Sequence, residues 1–89
     1  MEESEKQVSI SRVPLNARLY IVALKYDDAR EYAYKNGYHY SRMSYIYDRN
    51  KIMGLSDITL HVLPNAYERE NFNQIIQEAK IRRLQIEYV

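Results

Sequence analysis

The chain contains no cysteine and no tryptophan, and only two glycines, Gly37 and Gly54, in 89 residues. Without cysteine there are no disulfides, no thiolate metal sites and no cysteine nucleophile, which suits a reducing compartment. Neither glycine stands in a G-x-x-x-x-G-K-[ST] or G-x-G-x-x-G spacing, so a cradle of backbone amides for nucleotide phosphates is not encoded. No serine lies in a G-x-S-x-G turn. The two histidines, His39 and His61, share no H-x-x-x-H spacing, which argues against a metal centre. The longest apolar run, Leu19 to Leu24, is far below the roughly 20 residues of a membrane span. The leading "MEESEKQ" is acidic and polar, unlike a secretory leader, and a cytoplasmic location is expected.

Tyrosine is what the chain has in abundance. Six of its ten tyrosines fall in "YAYKNGYHYSRMSYIY", residues 32–47. The formal net charge is only +1, which gives no global attraction to nucleic acid. Charge is nevertheless uneven. Residues 30–51 hold Arg30, Lys35, Arg42, Arg49 and Lys51 against Glu31 and Asp48, so the tyrosine-rich stretch is also the basic part of the chain. Residues 2–6 carry Glu2, Glu3, Glu5 and Lys6 and open a polar segment without apolar periodicity. This predicts an acidic N-terminal arm over residues 1–14 and one folded domain over residues 15–89.

Periodicity predicts the order β-α-β-β-α-β. "RLYIVAL" (18–24) is continuously apolar, as in a strand buried on both faces. Asp27 or Asp28 is placed to cap a helix running to about Asn36, with Ala29, Tyr32 and Ala33 inward and Gly37 as a left-handed stop. "SRMSYIY" (41–47) alternates Met43, Tyr45 and Tyr47 against Arg42, Ser44 and Ile46. Residues 48–56 form a connection. "DITLHVL" (57–63) sets Ile58, Leu60 and Val62 opposite Thr59 and His61, and Pro64 ends it. Asn65 with Glu68, or Asn71 with Gln74, has capping-box spacing for a second helix with a stripe of Phe72, Ile75, Ile76 and Ala79. "LQIEYV" (84–89) closes as an alternating strand.

Two architectures satisfy this order. Three alternating strands and single-striped helices point to an α+β ferredoxin-like two-layer sandwich, with strands two and three in an antiparallel hairpin. The apolar first strand and its tight turn into a helix point to the alternative, a small Rossmann-like parallel sheet. In the one-sided plan, two helices leave a face of the first strand bare, which implies a homodimer across the sheet.

No set of residues converges as a catalytic site by spacing. Asp57 and His61 lie four residues apart on a strand, about 13 Å, too far for a base and its orienting carboxylate. Asp27 and Asp28 have a helix start to explain them, and Arg82 and Arg83 a helix end. The chain reads as non-enzymatic, with no cofactor expected. "LYIVAL" (19–24) resembles the first signature strand of an RNA-recognition motif, a likeness that would make Tyr20 a base-stacking residue. Strand three, "DITLHVLP", departs from that family's aromatic second signature. "YDDAREYAYKNGY", "YIYD" and "IMGLSDITLHVLPNAYERENFNQIIQEAKIRR" resemble small proteins encoded by tailed bacteriophages. They share an A-R-x-Y-A helix (Ala29, Arg30, Tyr32, Ala33) ending in glycine, and a Met53-Gly54-Leu55 step. That likeness implies a phage or prophage origin and an accessory role in the host cytoplasm.

Binding is the remaining function. The candidate surface is Tyr20, Arg42, Tyr45, Tyr47, Arg49, Lys51 and His61. Tyrosine and arginine are the residues enriched at protein-interface hot spots, which implies a protein partner or a homo-oligomer. The alternative is single-stranded nucleic acid, stacked on the strand tyrosines with Arg42, Arg49 and Lys51 at phosphates. Which applies turns on whether Tyr45 and Tyr47 face the helices or the solvent.

Overall fold

A computed structural model describes residues 17–89; the acidic arm expected over residues 1–14 lies outside them. Four strands and two helices follow in the predicted order: β1 (Leu19–Val22), α1 (Tyr26–Lys35), β2 (Met43–Ile46), β3 (Thr59–Val62), α2 (Phe72–Ile81) and β4 (Gln85–Tyr88). The sheet order is β2-β1-β3-β4, and every neighbouring pair is parallel. The antiparallel hairpin of the ferredoxin-like plan is therefore absent. Strands two and three do not touch, because both pair with β1.

Parallel strands need a crossover, and residues 47–58 supply it without an α-helix. A 3-10 turn over Arg49–Lys51, started by Asp48 accepting from the Asn50 amide at 2.8 Å, folds this segment back. Ile52, completely buried, anchors it to the sheet.

The central strand explains the sheet. In β1, Leu19 and Ile21 pack with Ala29 and Ala33 of α1, whereas Val22 packs with Ile75, Ile76 and Ala79 of α2. The helices thus cover opposite faces, and the continuous apolar run of β1 is what burial on both faces requires. Ile46 joins the α2-side core while Met43 and Tyr45 face α1, the opposite sides that alternation gives them. With both faces of β1 covered within one chain, the argument for a homodimer across the sheet no longer applies.

Both helices end in Schellman motifs. In α1 the Tyr38 amide bonds Ala33 O (2.9 Å) and the Gly37 amide bonds Tyr34 O (3.1 Å), with Gly37 at φ +84°. In α2 the Leu84 amide bonds Ala79 O (2.9 Å) and the Arg83 amide bonds Lys80 O (3.0 Å). There the left-handed position, φ +60°, is held by Arg83. The helix starts differ from expectation. Lys25 is the N-cap of α1 and Asn71 that of α2, and neither side chain caps. Asp27 and Asp28 sit in the first turn of α1, where their charge still favours the helix dipole. No helix among the described residues is long and apolar enough to cross a membrane.

Candidate functional site

The crowded stretch 32–47 divides evenly. Tyr32, Tyr38 and Tyr45 are half-buried against the α1-side core, while Tyr34, Tyr40 and Tyr47 are exposed. The two strand tyrosines therefore part company: Tyr45 faces the α1 layer, and Tyr47 emerges just past the end of β2.

Together they form one wall of a groove of about 470 Å³ along the outer edge of β2. Tyr20, Tyr26, Ser44, Tyr45, Tyr47, Lys51 and Leu55 line it. The Tyr26 ring meets Tyr45 edge-on at 5.7 Å, and the Tyr45 and Tyr47 rings lie 5.5 Å apart. Lys51 Nζ stands 5.2 Å above the Tyr47 ring, and the Arg69 guanidinium 5.9 Å from that of Tyr45. Each strand tyrosine thus carries a cation within cation–π range.

Arg69 fixes the floor of this arrangement. Its Nη1 donates to Leu24 O (3.0 Å), Ala23 O (3.3 Å) and the Tyr45 hydroxyl (3.0 Å). Nη2 donates to Tyr47 O (3.0 Å), and Nε to Asn71 Oδ1 (3.1 Å). Asn71 Nδ2 donates to the same Tyr47 carbonyl at 2.8 Å. The Tyr45 hydroxyl in turn donates to Leu24 O at 3.2 Å. One guanidinium thereby ties the carboxyl ends of β1 and β2 to the segment before α2. This is also why Asn71 does not cap its helix: its side chain is committed to Tyr47 and Arg69. Sequence reasoning missed Arg69, since "ERE" (68–70) reads as a solvated charged loop.

Four of the seven candidate residues, Tyr20, Tyr45, Tyr47 and Lys51, converge on the groove. Arg42 and Arg49 stand before and after β2 and do not line it. His61 is elsewhere. It sits half-buried on β3 with Nδ1 3.2 Å from the Tyr32 hydroxyl, facing α1 and one strand removed from β2. Burial of the Tyr32 phenol, reinforced by the Glu87 carboxylate, raises its pKa above the ordinary value.

Ligands of open parallel sheets commonly sit at the carboxyl ends of the strands, where successive connections leave in opposite directions. Here that point lies between β1 and β3. It is bridged by Asn65 Nδ2 donating to Asp28 Oδ2 at 3.1 Å. The adjoining cavity of about 360 Å³ is lined by Asp28 and Glu31 with a single cation, Lys35. Carboxylates and the glycine-free turn Ala23-Leu24-Lys25 make this crevice unsuited to a phosphate. A larger cleft, about 760 Å³, runs along the outer flank of α1 past Arg30, Tyr34, Lys35, His39 and Tyr40. Three of its charges are partnered on the surface, Lys35 with Glu31 at 3.2 Å and Arg30 over Tyr40 at 5.1 Å. Among the described residues no group of three or more His, Asp or Glu is placed to hold a metal ion. No protein-family model, curated protein or solved structure matches the chain.

Proposed function

We propose that this chain is a non-enzymatic accessory protein that acts by holding a protein partner in the tyrosine groove on the edge of β2. The observation that carries this reading is the pairing of Lys51 with Tyr47 and of Arg69 with Tyr45. Cations already occupy positions near both rings, so on the Lys51 side of Tyr47 a nucleotide base would have to displace that ammonium to stack. A protein segment needs no such displacement. It can rest against ring edges, hydroxyls and the apolar flank of Leu55, which is how tyrosine is used at protein interfaces. The fixed carboxyl end of β2 also favours binding, since less side-chain freedom is lost on association. A phage or prophage origin in a host cytoplasm rests on the sequence resemblance alone.

Single-stranded nucleic acid is the second reading, favoured by the exposed cations Arg49 and Lys51 beside Tyr47. One experiment separates the two. Host lysate, treated or untreated with nuclease, is passed over the immobilised wild-type protein and over a Tyr47→Ala/Lys51→Glu variant. Protein binding at the groove predicts a partner retained by the wild type after nuclease and lost by the variant. A partner retained equally by both places binding elsewhere. A labelled oligonucleotide that binds with a steep salt dependence would support the nucleic-acid reading instead.

A further inference from the structure

The two outer edges of the sheet are treated differently. Val22 O accepts from the Leu63 amide, so backbone alternation turns Tyr20 and Val22 toward β3 and Leu19 and Ile21 toward β2. Given the register Ile21 with Tyr45, Ser44 and Ile46 bond β1, and the main chain of Met43, Tyr45 and Tyr47 faces outward. Two of these three carbonyls are already occupied. Arg18 donates to Met43 O at 3.1 Å, and Arg69 and Asn71 both donate to Tyr47 O. Side chains thus blunt the β2 edge against further strand pairing.

The β4 edge has no such protection among the described residues. The Gln85 amide bonds Ile58 O (3.2 Å) and the Val89 amide bonds Val62 O (3.0 Å), which turns the main chain of Ile86 and Tyr88 outward. No described side chain or loop bonds either residue's outward groups. Tyr88 is 63% exposed beside them, and the only charge on the strand is Glu87.

We propose that β4 pairs antiparallel with β4 of a second copy of this chain, about a two-fold axis at Ile86, to make one eight-stranded sheet. Self-complementarity selects this occupant and this register. With Ile86 opposite Ile86, the outward amide and carbonyl of each satisfy the other. Gln85 then faces Glu87 of the second copy, and Leu84 faces its Tyr88. Gln85 Oε1 accepts from Thr59 Oγ1 at 3.1 Å, which leaves its NH2 group to donate to that carboxylate. A register centred on Glu87 would oppose two carboxylates, and one centred on Tyr88 would set Glu87 against Val89. The ladder is short, so the contact belongs to the weak class of interfaces, below about 1,200 Å².

Sedimentation of the full chain, from about 2 to 500 μM, tests this, because weak interfaces associate in that range. The expected result is a mass rising from one chain toward two. Ile86→Pro removes an amide hydrogen that β3 does not use, and should keep the chain monomeric throughout with an unchanged circular dichroism spectrum. Gln85→Glu, at an exposed position, sets carboxylates opposite Glu87 and should weaken association about tenfold at low salt, with recovery at high salt. If the proline variant does not fold, the Gln85→Glu result decides. A monomer at every concentration, or a dimer indifferent to the variants that fold, overturns the proposal.

Discussion

Arg69 meets Tyr45 in two ways at once: Nη1 donates to the phenol oxygen at 3.0 Å while the guanidinium carbon stands 5.9 Å from the centre of the ring. The remaining donors of the same group hold the ends of β1 and β2 through Leu24 O and Tyr47 O. No carboxylate among the described residues pairs with it. Its partners are neutral acceptors, the carbonyls at the carboxyl ends of parallel strands and the Asn71 amide oxygen. Arg69→Ala leaves these half-buried acceptors short of a donor and should cost about 1.5–3 kcal/mol, the range for hydrogen bonds to charged groups. Arg69→Lys should recover less than half of that, because an ammonium cannot reproduce the planar fork. Urea unfolding of the three proteins measures both values.

A second test concerns the left-handed residue that ends α2. Arg83 occupies φ +60° in a Schellman motif whose flanking contact, Leu84 against Ala79, is buried. A side chain there is strained, and among the described residues Arg83 has no side-chain hydrogen bond or ion pair that would need it. Arg83→Gly should therefore stabilise the protein by about 0.5–1 kcal/mol, the left-handed penalty less the added freedom of glycine when unfolded. The mirror change at the end of α1, Gly37→Ala at φ +84°, should destabilise by about 1 kcal/mol. Thermal melts would show the two shifts with opposite signs.

These residues also show where the sequence was informative. The apolar stripes of α1 and α2 and the number and order of elements followed from periodicity, because those signals are local. Strand direction did not. It depends on whether residues 47–58 turn tightly or cross over the sheet, and a 3-10 crossover carries no helical period. The continuous apolar run of β1 did point to burial on both faces, but the alternation of the other strands outweighed it. In β3 and β4 the alternation reflects a polar half-face of Thr59, Gln85 and Glu87, beside which His61 meets the Tyr32 hydroxyl of α1. For the site, Tyr45, Tyr47 and Lys51 were visible as a basic aromatic cluster. Arg69 was not, since its partners are main-chain carbonyls more than twenty residues away.

The crossover suggests a third measurement. Ile52 is fully buried on the α2 side, with Ile46 and Ile75 in the same core cluster, although its neighbours Lys51 and Met53 are exposed. Ile52→Ala should cost about 2–5 kcal/mol, as for other buried aliphatic truncations. Tyr34→Ala, at an exposed position on α1, should stay within about 0.5 kcal/mol of wild type. Equal costs at the two sites would mean that residues 47–58 do not lie across the sheet as described.

The last prediction concerns alkaline pH. The Tyr32 phenol lies 3.2 Å from His61 Nδ1, and its pKa is raised first by burial and then by Glu87. Charging this phenol is harder in the folded chain than in the unfolded one. Below the ordinary tyrosine pKa near 10 both states keep the proton, and the full stability is present. As pH rises past that value the unfolded chain releases the proton first, so it binds fewer protons and stability falls. The loss continues until the folded-state pKa is passed. Urea midpoints measured from pH 8 upward should therefore decline more steeply for wild type than for Tyr32→Phe. The phenylalanine variant should also start lower at pH 8, by about 0.5–1.5 kcal/mol for the lost hydrogen bond. Glu87→Gln, which removes only the smaller of the two causes, should leave most of the decline in place.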